Sequence, residues 1–434
     1  MTRSAKYALT VLFAINAMNF FDRVIGGAVA EPIRREWGLS DSQLGALGTA
    51  FTLLYAFVGV PLGRLSDRTS RKHILAAGVF VWSLLTFLSG VARNFWQLFV
   101  MRLGVGIGEA TCAPAGTSLI GDLFPPARRG RAMSVFMLGL PIGIALSYLV
   151  GSFVAHSYGW RAAFFVAGVP GLLCAIAALF INEPRRGSSE GAPASLPAGP
   201  PPSGRPYRAI LSRPTMWWII LSGALHNFNM YALGSFLSPF LIRYHHIDLR
   251  QAGLVTTVVY GLSGIPGLLV GGALADAMAK KRKDGRLLVG SVCILISVPF
   301  LILALRASAV TPFLIFATLG CMVMYVYYSS VYAAIHDIVE PELRGTAMAL
   351  YFFAMYVLGA SLGPLGTGMA SDHFTRKAAA AAGVVDVTQK ALEPFRAAGL
   401  HSAMYIIPIL SVLLTVVLFA ASRTVARDMA KRGE

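Results

Sequence analysis

"GDLFPPARRGRAM", residues 121–133, returns later in the chain as "HDIVEPELRGTAM", residues 336–348. At a single offset Asp122 meets Asp337, Pro126 meets Pro341, and Arg129 meets Arg344. Gly130/Gly345, Ala132/Ala347 and Met133/Met348 coincide as well. A second pair, "GRLSD" (63–67) and "GALAD" (272–276), supports the same division. Self-similarity at a fixed offset marks a duplicated structural unit.

Hydropathy says what each unit is made of. The chain has 434 residues, 56% hydrophobic and 13% charged, with a mean hydropathy of +0.65. Soluble domains carry about 25% charged residues. Twelve apolar segments recur, at about 7–30, 42–65, 73–92, 95–121, 130–155, 160–182, 215–243, 251–279, 286–305, 311–338, 344–371 and 400–422. Most reach the roughly twenty residues that a bilayer demands of a helix. The short alternating segments of a β-barrel are missing from the pattern. The predicted fold is an all-α membrane protein with twelve transmembrane helices in two pseudo-symmetric six-helix bundles. Residues 1–182 form the first bundle and 215–434 the second. Residues 183–214, rich in Pro, Gly and Ser, read as a flexible cytoplasmic linker. The first segment has no A-x-A cleavage pattern and is expected to stay as a helix.

The formal charge of +17 raises the question of nucleic acid, but the basic residues sit in short loops with no aromatic-basic stripe. They read instead as a topology signal. With the N-terminus placed in the cytoplasm, 24 of the 37 Lys and Arg fall in cytoplasmic loops and tails and 11 in outer loops. That bias, and an even number of spans, predict both termini inside. The four cysteines lie within apolar runs without metal spacing, so neither disulfide nor metal is expected. No phosphate loop or nucleophile elbow is present, so neither enzymatic activity nor a cofactor is expected. Two linked halves of this kind are a transporter architecture.

"GRLSDRTSRK" (63–72) resembles the loop 2–3 signature of the major facilitator superfamily. Gly63, Asp67, Arg68, Arg71 and Lys72 match its positions, and Ser70 replaces its second glycine. "NFFDR" (19–23), "RLGVGIGEA" (102–110) and "INEPRRG" (181–187) resemble the Spinster family, with the run from Gly108 to Met133 nearest to its bacterial homologues. That resemblance implies export of sphingosine phosphates or lysophospholipids, often in a proton-coupled model, and a bacterial inner membrane. The two charged motifs also resemble anion:cation symporters, which carry sugar acids. "GLPIGIALSYLVGS" (139–152) departs from the Gly-Pro motif of drug-exporting antiporters, which weighs against drug efflux.

An ionised group at mid-bilayer costs at least about 2.5–3.5 kcal/mol. Asp22, Arg23, Arg102 and Glu109 are kept there nonetheless. Asp22 and Arg23 diverge by about 100° on a helix, so each needs a partner elsewhere. Depth arguments pair Asp22 with Arg102 and leave Glu109 to Arg23 or to no partner. A structural ion network locking helices one and four is one reading. The other makes Glu109, with Asp22, the proton-coupling group. Burial and a nearby guanidinium act in opposite senses on a carboxylate, so motion of Arg23 would change its proton affinity. Protonated Glu109 leaves the cluster at +1, suited to an anionic headgroup held by Arg23 or Arg102, with Asn19 alongside.

In the second half, His226 and Asn227 on helix seven and Tyr325 and Tyr328 on helix ten are candidate substrate contacts. A charged first half and an aromatic second half predict an amphiphilic cavity. Asp67, Arg68 and Arg71, with Gly63, Asp122, Arg129, Asp337 and Arg344, are candidate gating residues. Glycine-rich stretches at 139–152, 261–272 and 359–368 predict close helix approach. The expected function is secondary active, proton-coupled transport by alternating access of an anionic amphiphile of the lysophospholipid or sphingosine-phosphate type; the alternative is proton-driven symport of a small organic anion such as a sugar acid. Its expected partners are that substrate, protons and the bilayer, with no nucleic acid, in a monomer.

Overall fold

In a bilayer every backbone N–H and C=O must be paired within the protein, which leaves a long apolar segment the helix as its stable form. The computed structural model describes residues 3–185, 206–340, 343–384 and 386–430. At Val60, Gly63, Arg64, Ser66, Asp67, Arg68, Pro126, Ala127, Gly130 and Pro206 only the backbone is described. Among the described residues the long elements are all helices and no strand occurs.

The first half contributes α1 (Arg3–Ala28), α2 (Asp41–Arg68), α3 (Arg71–Ser89), α4 (Phe95–Glu109 and Cys112–Leu123), α5 (Pro126–Met137 and Gly139–Tyr158) and α6 (Trp160–Leu179). The second contributes α7 (Pro214–Tyr244), α8 (Leu249–Thr256, Thr257–Leu262 and Gly264–Ala279), α9 (Gly285–Arg306), α10 (Val310–Ile338), α11 (Arg344–Ala354, Met355–Ala360 and Leu362–Ala381) and α12 (Ile406–Ala430). Among the described residues, eleven helical stretches are long and apolar enough to cross a membrane. α7, with 31 residues, is long enough as well, and His226, Asn227 and Asn229 dilute its apolar character. Large apolar side chains such as Phe57, Leu173, Leu269, Ile409 and Val416 are exposed along these helices. On a soluble protein that surface would be an aggregation hazard; here it is the face turned to lipid. The chain is an integral membrane protein.

Local chemistry sets several boundaries. The Asn94 side chain accepts the Gln97 N–H at 3.0 Å to start α4, and Asp248 accepts that of Gln251 at 2.8 Å to start α8. Gly159, at φ +83°, turns α5 into α6, a backbone state that glycine adopts without Cβ strain. The structure also departs from the segments expected. The fourth span is interrupted at Ala110–Thr111, with Pro114 in the first turn of its second piece, where a missing N–H does least harm. α8 and α11 each contain one π-helical turn, ending at Leu262 and Ala360. Four residues later stand Pro266 and Pro364, which have no N–H to give those carbonyls; the widened turn absorbs the break. The twelfth span begins at Ile406, because Arg396–Met404 is a separate helix before it. The expected linker carries a short helix, Pro206–Leu211, and its stretch 186–205 lies outside the described residues.

The chain divides into two compact units. One comprises Met1–Trp37 and Ala50–Pro201, the other Gly38–Thr49 and Pro202–Glu434, each counted over its described residues. The first unit's core gathers Leu12, Ile15, Phe51, Trp82, Val105, Ile120 and Phe136. In the second, Phe236, Phe240, Met324, Tyr327, Ile335 and Leu418 are buried.

Glycines set the closest helix contacts within each unit. A Cβ on Gly143 of α5 would stand 2.2 Å from the Ala17 carbonyl oxygen of α1, and one on Gly359 of α11 2.4 Å from that of Ala224 on α7. Likewise a Cβ on Gly106 of α4 would stand 2.5 Å from the Phe51 carbonyl oxygen of α2, and one on Gly267 of α8 2.2 Å from that of Met322 on α10. The fifth helix meets the first as the eleventh meets the seventh, so both repeats pack by one scheme. Gly143→Ala is therefore expected to destabilise the protein by about 1–3 kcal/mol through overpacking. Gly26→Ala, where a Cβ meets nothing within 4 Å, is expected to be neutral. Thermal unfolding in lipid nanodiscs compares the two.

Candidate functional site

The four intramembrane ionisable residues of the first unit come together between α1 and α4. All are buried, with Asp22 and Glu109 at 0% exposure. The Arg23 guanidinium donates to Glu109 Oε2 at 3.2 and 3.3 Å and to Asn19 Oδ1 at 3.1 Å. It also lies over the rings of Phe20, Phe51 and Tyr55, at 4.7, 5.1 and 4.7 Å from their centroids. Glu109 is the last residue of the first piece of α4, beside the break. Its Oε1 has no hydrogen-bond partner among the described residues.

The expected pairing of Asp22 with Arg102 is not what forms. Arg102 donates to the main-chain oxygens of Asp22 and Arg23, at 3.0 and 3.1 Å. Similar depth did bring the guanidinium to the right turn of α1. There it found two carbonyls, which take its forked N–H groups without a second buried charge. Both carboxylate oxygens of Asp22 lack a hydrogen-bond partner among the described residues. Facing that carboxyl from α3 are the Thr86 hydroxyl and the Trp82 indole, neither of which closes a direct hydrogen bond.

In the second unit, His226 stacks on Tyr327 at 4.0 Å and meets Tyr328 edge-on at 4.8 Å. Asn227 donates to the Gly223 carbonyl at 3.0 Å and accepts from the Tyr328 hydroxyl at 3.3 Å. Tyr325 donates to the Tyr260 carbonyl at 2.7 Å. Tyr327 shares hydroxyl bonds with Ser222 and Tyr351, and the rings continue through Tyr332 to Phe352. His226, Asn227, Tyr325 and Tyr328 thus belong to one cluster, largely neutral and aromatic.

Of the expected gating positions, Gly63, Asp67 and Arg68 are described by their backbone alone, so their contacts lie outside what is described. Arg71 is described and almost fully buried. It binds Asp122 and Ser118 of α4, Glu183 at 3.1 Å and the Pro184 carbonyl at 2.9 Å. Glu183 in turn accepts from the Ser70 hydroxyl and the Arg71 N–H, capping α3. In the second unit Arg286 binds Asp337, and Asp276 at 3.0 Å. Arg71–Asp122 and Arg286–Asp337 share the offset of the sequence repeat, a signal that could have identified Arg286. Arg344 donates to the His336 carbonyl at 3.2 Å, and Arg129 is partly buried near the start of α5. Glu183, Trp82 and Thr86 were not singled out as site residues: the first lay in a motif used only for resemblance, and the other two are ordinary in an apolar span.

The sequence profile described as Major Facilitator Superfamily matches residues 11–364. An MFS-type efflux pump of Mycolicibacterium smegmatis is 30% identical, with 86% of each chain covered. A probable L-galactonate transporter of Escherichia coli is 29% identical, over 84% of this chain and 83% of its own. A sphingosine-1-phosphate transporter of Danio rerio is 27% identical, over 85% and 77%. A crystal structure of a bacterial homologue of the human lysosomal transporter Spinster, inward-facing and unoccupied, superposes with a TM-score of 0.87 at 28% identity, covering 99% of both chains.

Glu183 lies outside the spans and gives a pH test. Burial pushes its carboxyl up, but the Ser70 hydroxyl, the Arg71 N–H and guanidinium and the Lys72 N–H outweigh that and hold it at about 2. A depressed carboxyl contributes stability above its ordinary value of 4.5, and that contribution is lost as pH falls toward 2. Glu183→Gln is expected to lower thermal stability at pH 7, with the gap to the parent closing as the pH is lowered through this window.

Proposed function

This chain belongs to the Major Facilitator Superfamily and is a Spinster-like transporter; from there, we propose that its cargo is an anionic amphiphile of the lysophospholipid or sphingosine-phosphate type, moved by alternating access with proton coupling. The observation that carries this reading is Arg23, set among Phe20, Phe51 and Tyr55 and paired with a buried acid. An anionic headgroup competes with Glu109 for the guanidinium, while the rings suit apolar chain. Protonation of Glu109 removes the charge that holds Arg23 and raises the net charge of the four-residue cluster by one. Substrate anion and proton are then taken up together. In the second unit, His226, Asn227 and Tyr325 are buried with Tyr328 in an aromatic cluster of few charges, an environment that suits a hydrocarbon chain better than a polyhydroxy acid. The similarity to the sphingosine-1-phosphate transporter favours the same class. We place both termini on the cytoplasmic side of a bacterial inner membrane, in keeping with the Lys and Arg bias, and read the working unit as a monomer.

A proton-driven symport of small organic anions is the second reading, favoured by the similarity to the L-galactonate transporter. Proteoliposomes loaded with a pH dye separate the two. Lysophosphatidate or sphingosine 1-phosphate added outside is expected to drive a proton flux that protein-free liposomes do not show. L-galactonate is expected to drive none. Glu109→Gln is expected to lose the proton flux while keeping exchange of labelled substrate. Flux with L-galactonate alone would overturn the amphiphile reading, and full pH dependence in Glu109→Gln would overturn the coupling role of that residue.

A further inference from the structure

Arg23 is engaged by Glu109, and Arg102 by main-chain oxygens, so neither guanidinium makes a hydrogen bond to the Asp22 carboxylate. Yet Asp22 is fully buried. A buried carboxylate without donors is expensive, and so, to a smaller degree, is a buried donor without an acceptor. Trp82 Nε1 and Thr86 Oγ1 are two such donors, both fully buried and unpartnered among the described residues. They stand four residues apart on α3, on one face, and both face Asp22. α6 seals this side: a Cβ on Gly171 would stand 2.0 Å from Ser83 Oγ.

We propose that Trp82 and Thr86 are positioning residues that close onto the Asp22 carboxylate when it releases its proton, so that α3 supplies the donors for the charged form. A small shift of α1 against α3 converts three unpaired groups into two charge-assisted hydrogen bonds. The inference rests on the proposed proton coupling and assigns the donors behind it. The other groups facing Asp22 are Glu109 and Arg102 of α4, with Cys174 of α6 within its field. Arg23 is its neighbour on α1. Between Gly143 and Gly151, where α5 lies along α1, Tyr148 is the one titratable residue.

The test is an infrared titration of the protein in lipid nanodiscs. The protonated carboxyl band of Asp22 is assigned by its loss in Asp22→Asn. Donors to a carboxylate favour its charged form, so Thr86→Val and Trp82→Phe, each by itself, are expected to retain the proton to higher pH. The expected displacement is about one pH unit, a tenfold change in proton affinity. Thr86→Ser keeps the hydroxyl and is expected to titrate like the parent. A merely structural role would lower thermal stability and leave the midpoint in place. Midpoints of Thr86→Val and Trp82→Phe that superpose on the parent overturn the proposal, and either variant alone suffices if the other fails to fold. Substrate-driven proton uptake in Asp22→Asn tests the underlying reading separately. If that uptake persists unchanged, the coupling role of Asp22 falls, whatever the donor titration shows.

Discussion

The cost of placing charge in hydrocarbon governs the first unit of this protein. Each ionised group in the span region must find hydrogen bonds or an opposite charge within a few ångströms. Arg102 and Arg23 solve that problem in different ways. Arg102 bonds to main-chain oxygens of α1, which carry no titratable proton. It therefore ties α4 to α1 whatever the protonation state around it. Arg23 bonds to a carboxylate, so its tie between the same helices depends on whether Glu109 is charged. Under the proposed coupling, one permanent and one conditional link across a single interface would give a proton on Glu109 a mechanical consequence without letting the unit come apart.

The same economy appears at the helix ends. Arg71 is nearly as buried as the membrane arginines, but its partners are two acids, a hydroxyl and two carbonyls drawn from α4 and the segment after α6. With so many acceptors, no single proton controls it. The corresponding pair in the second unit, Arg286 with Asp337, also takes in Asp276. Duplication preserved the arginine and the aspartate and let their surroundings diverge.

The repeat made the fold legible before any coordinates. Segment counting, the division into halves and the glycine contacts of α5, α8 and α11 all follow from periodicity and residue size, which are local properties. The charged site was legible only in part. The patterns around Asp22, Arg23, Arg102 and Glu109 say which residues must be matched and at what depth. They do not say whether a guanidinium selects a carboxylate or a carbonyl, because backbone oxygens leave no mark in a sequence. The break at Ala110–Thr111 and the two π-helical turns were missed because glycine and proline inside an apolar run signal equally a continuous packed helix. Trp82 and Thr86 were missed because their type and spacing are ordinary, and only their orientation toward Asp22 distinguishes them.

The two units share a packing scheme and differ in what they bury. α1 of the first unit carries Asp22 and Arg23, while α7, which meets α11 as α1 meets α5, carries His226 and Asn227 among tyrosines. A duplicated scaffold fixes helix distances through glycine contacts to backbone, which no side chain can vary. Polar positions on the other helix faces are then free to change. That separation lets the first unit set titratable charge between α1 and α4 where the second sets aromatic side chains, its buried Asp41–Arg243 pair standing instead at the helix ends. A protein whose packing depended on its ion pairs could not protonate one of them without loosening. Here the tight contact of Gly143 with Ala17 is made by atoms that do not titrate, so the proposed change of charge on Glu109 would leave that contact of the first unit in place.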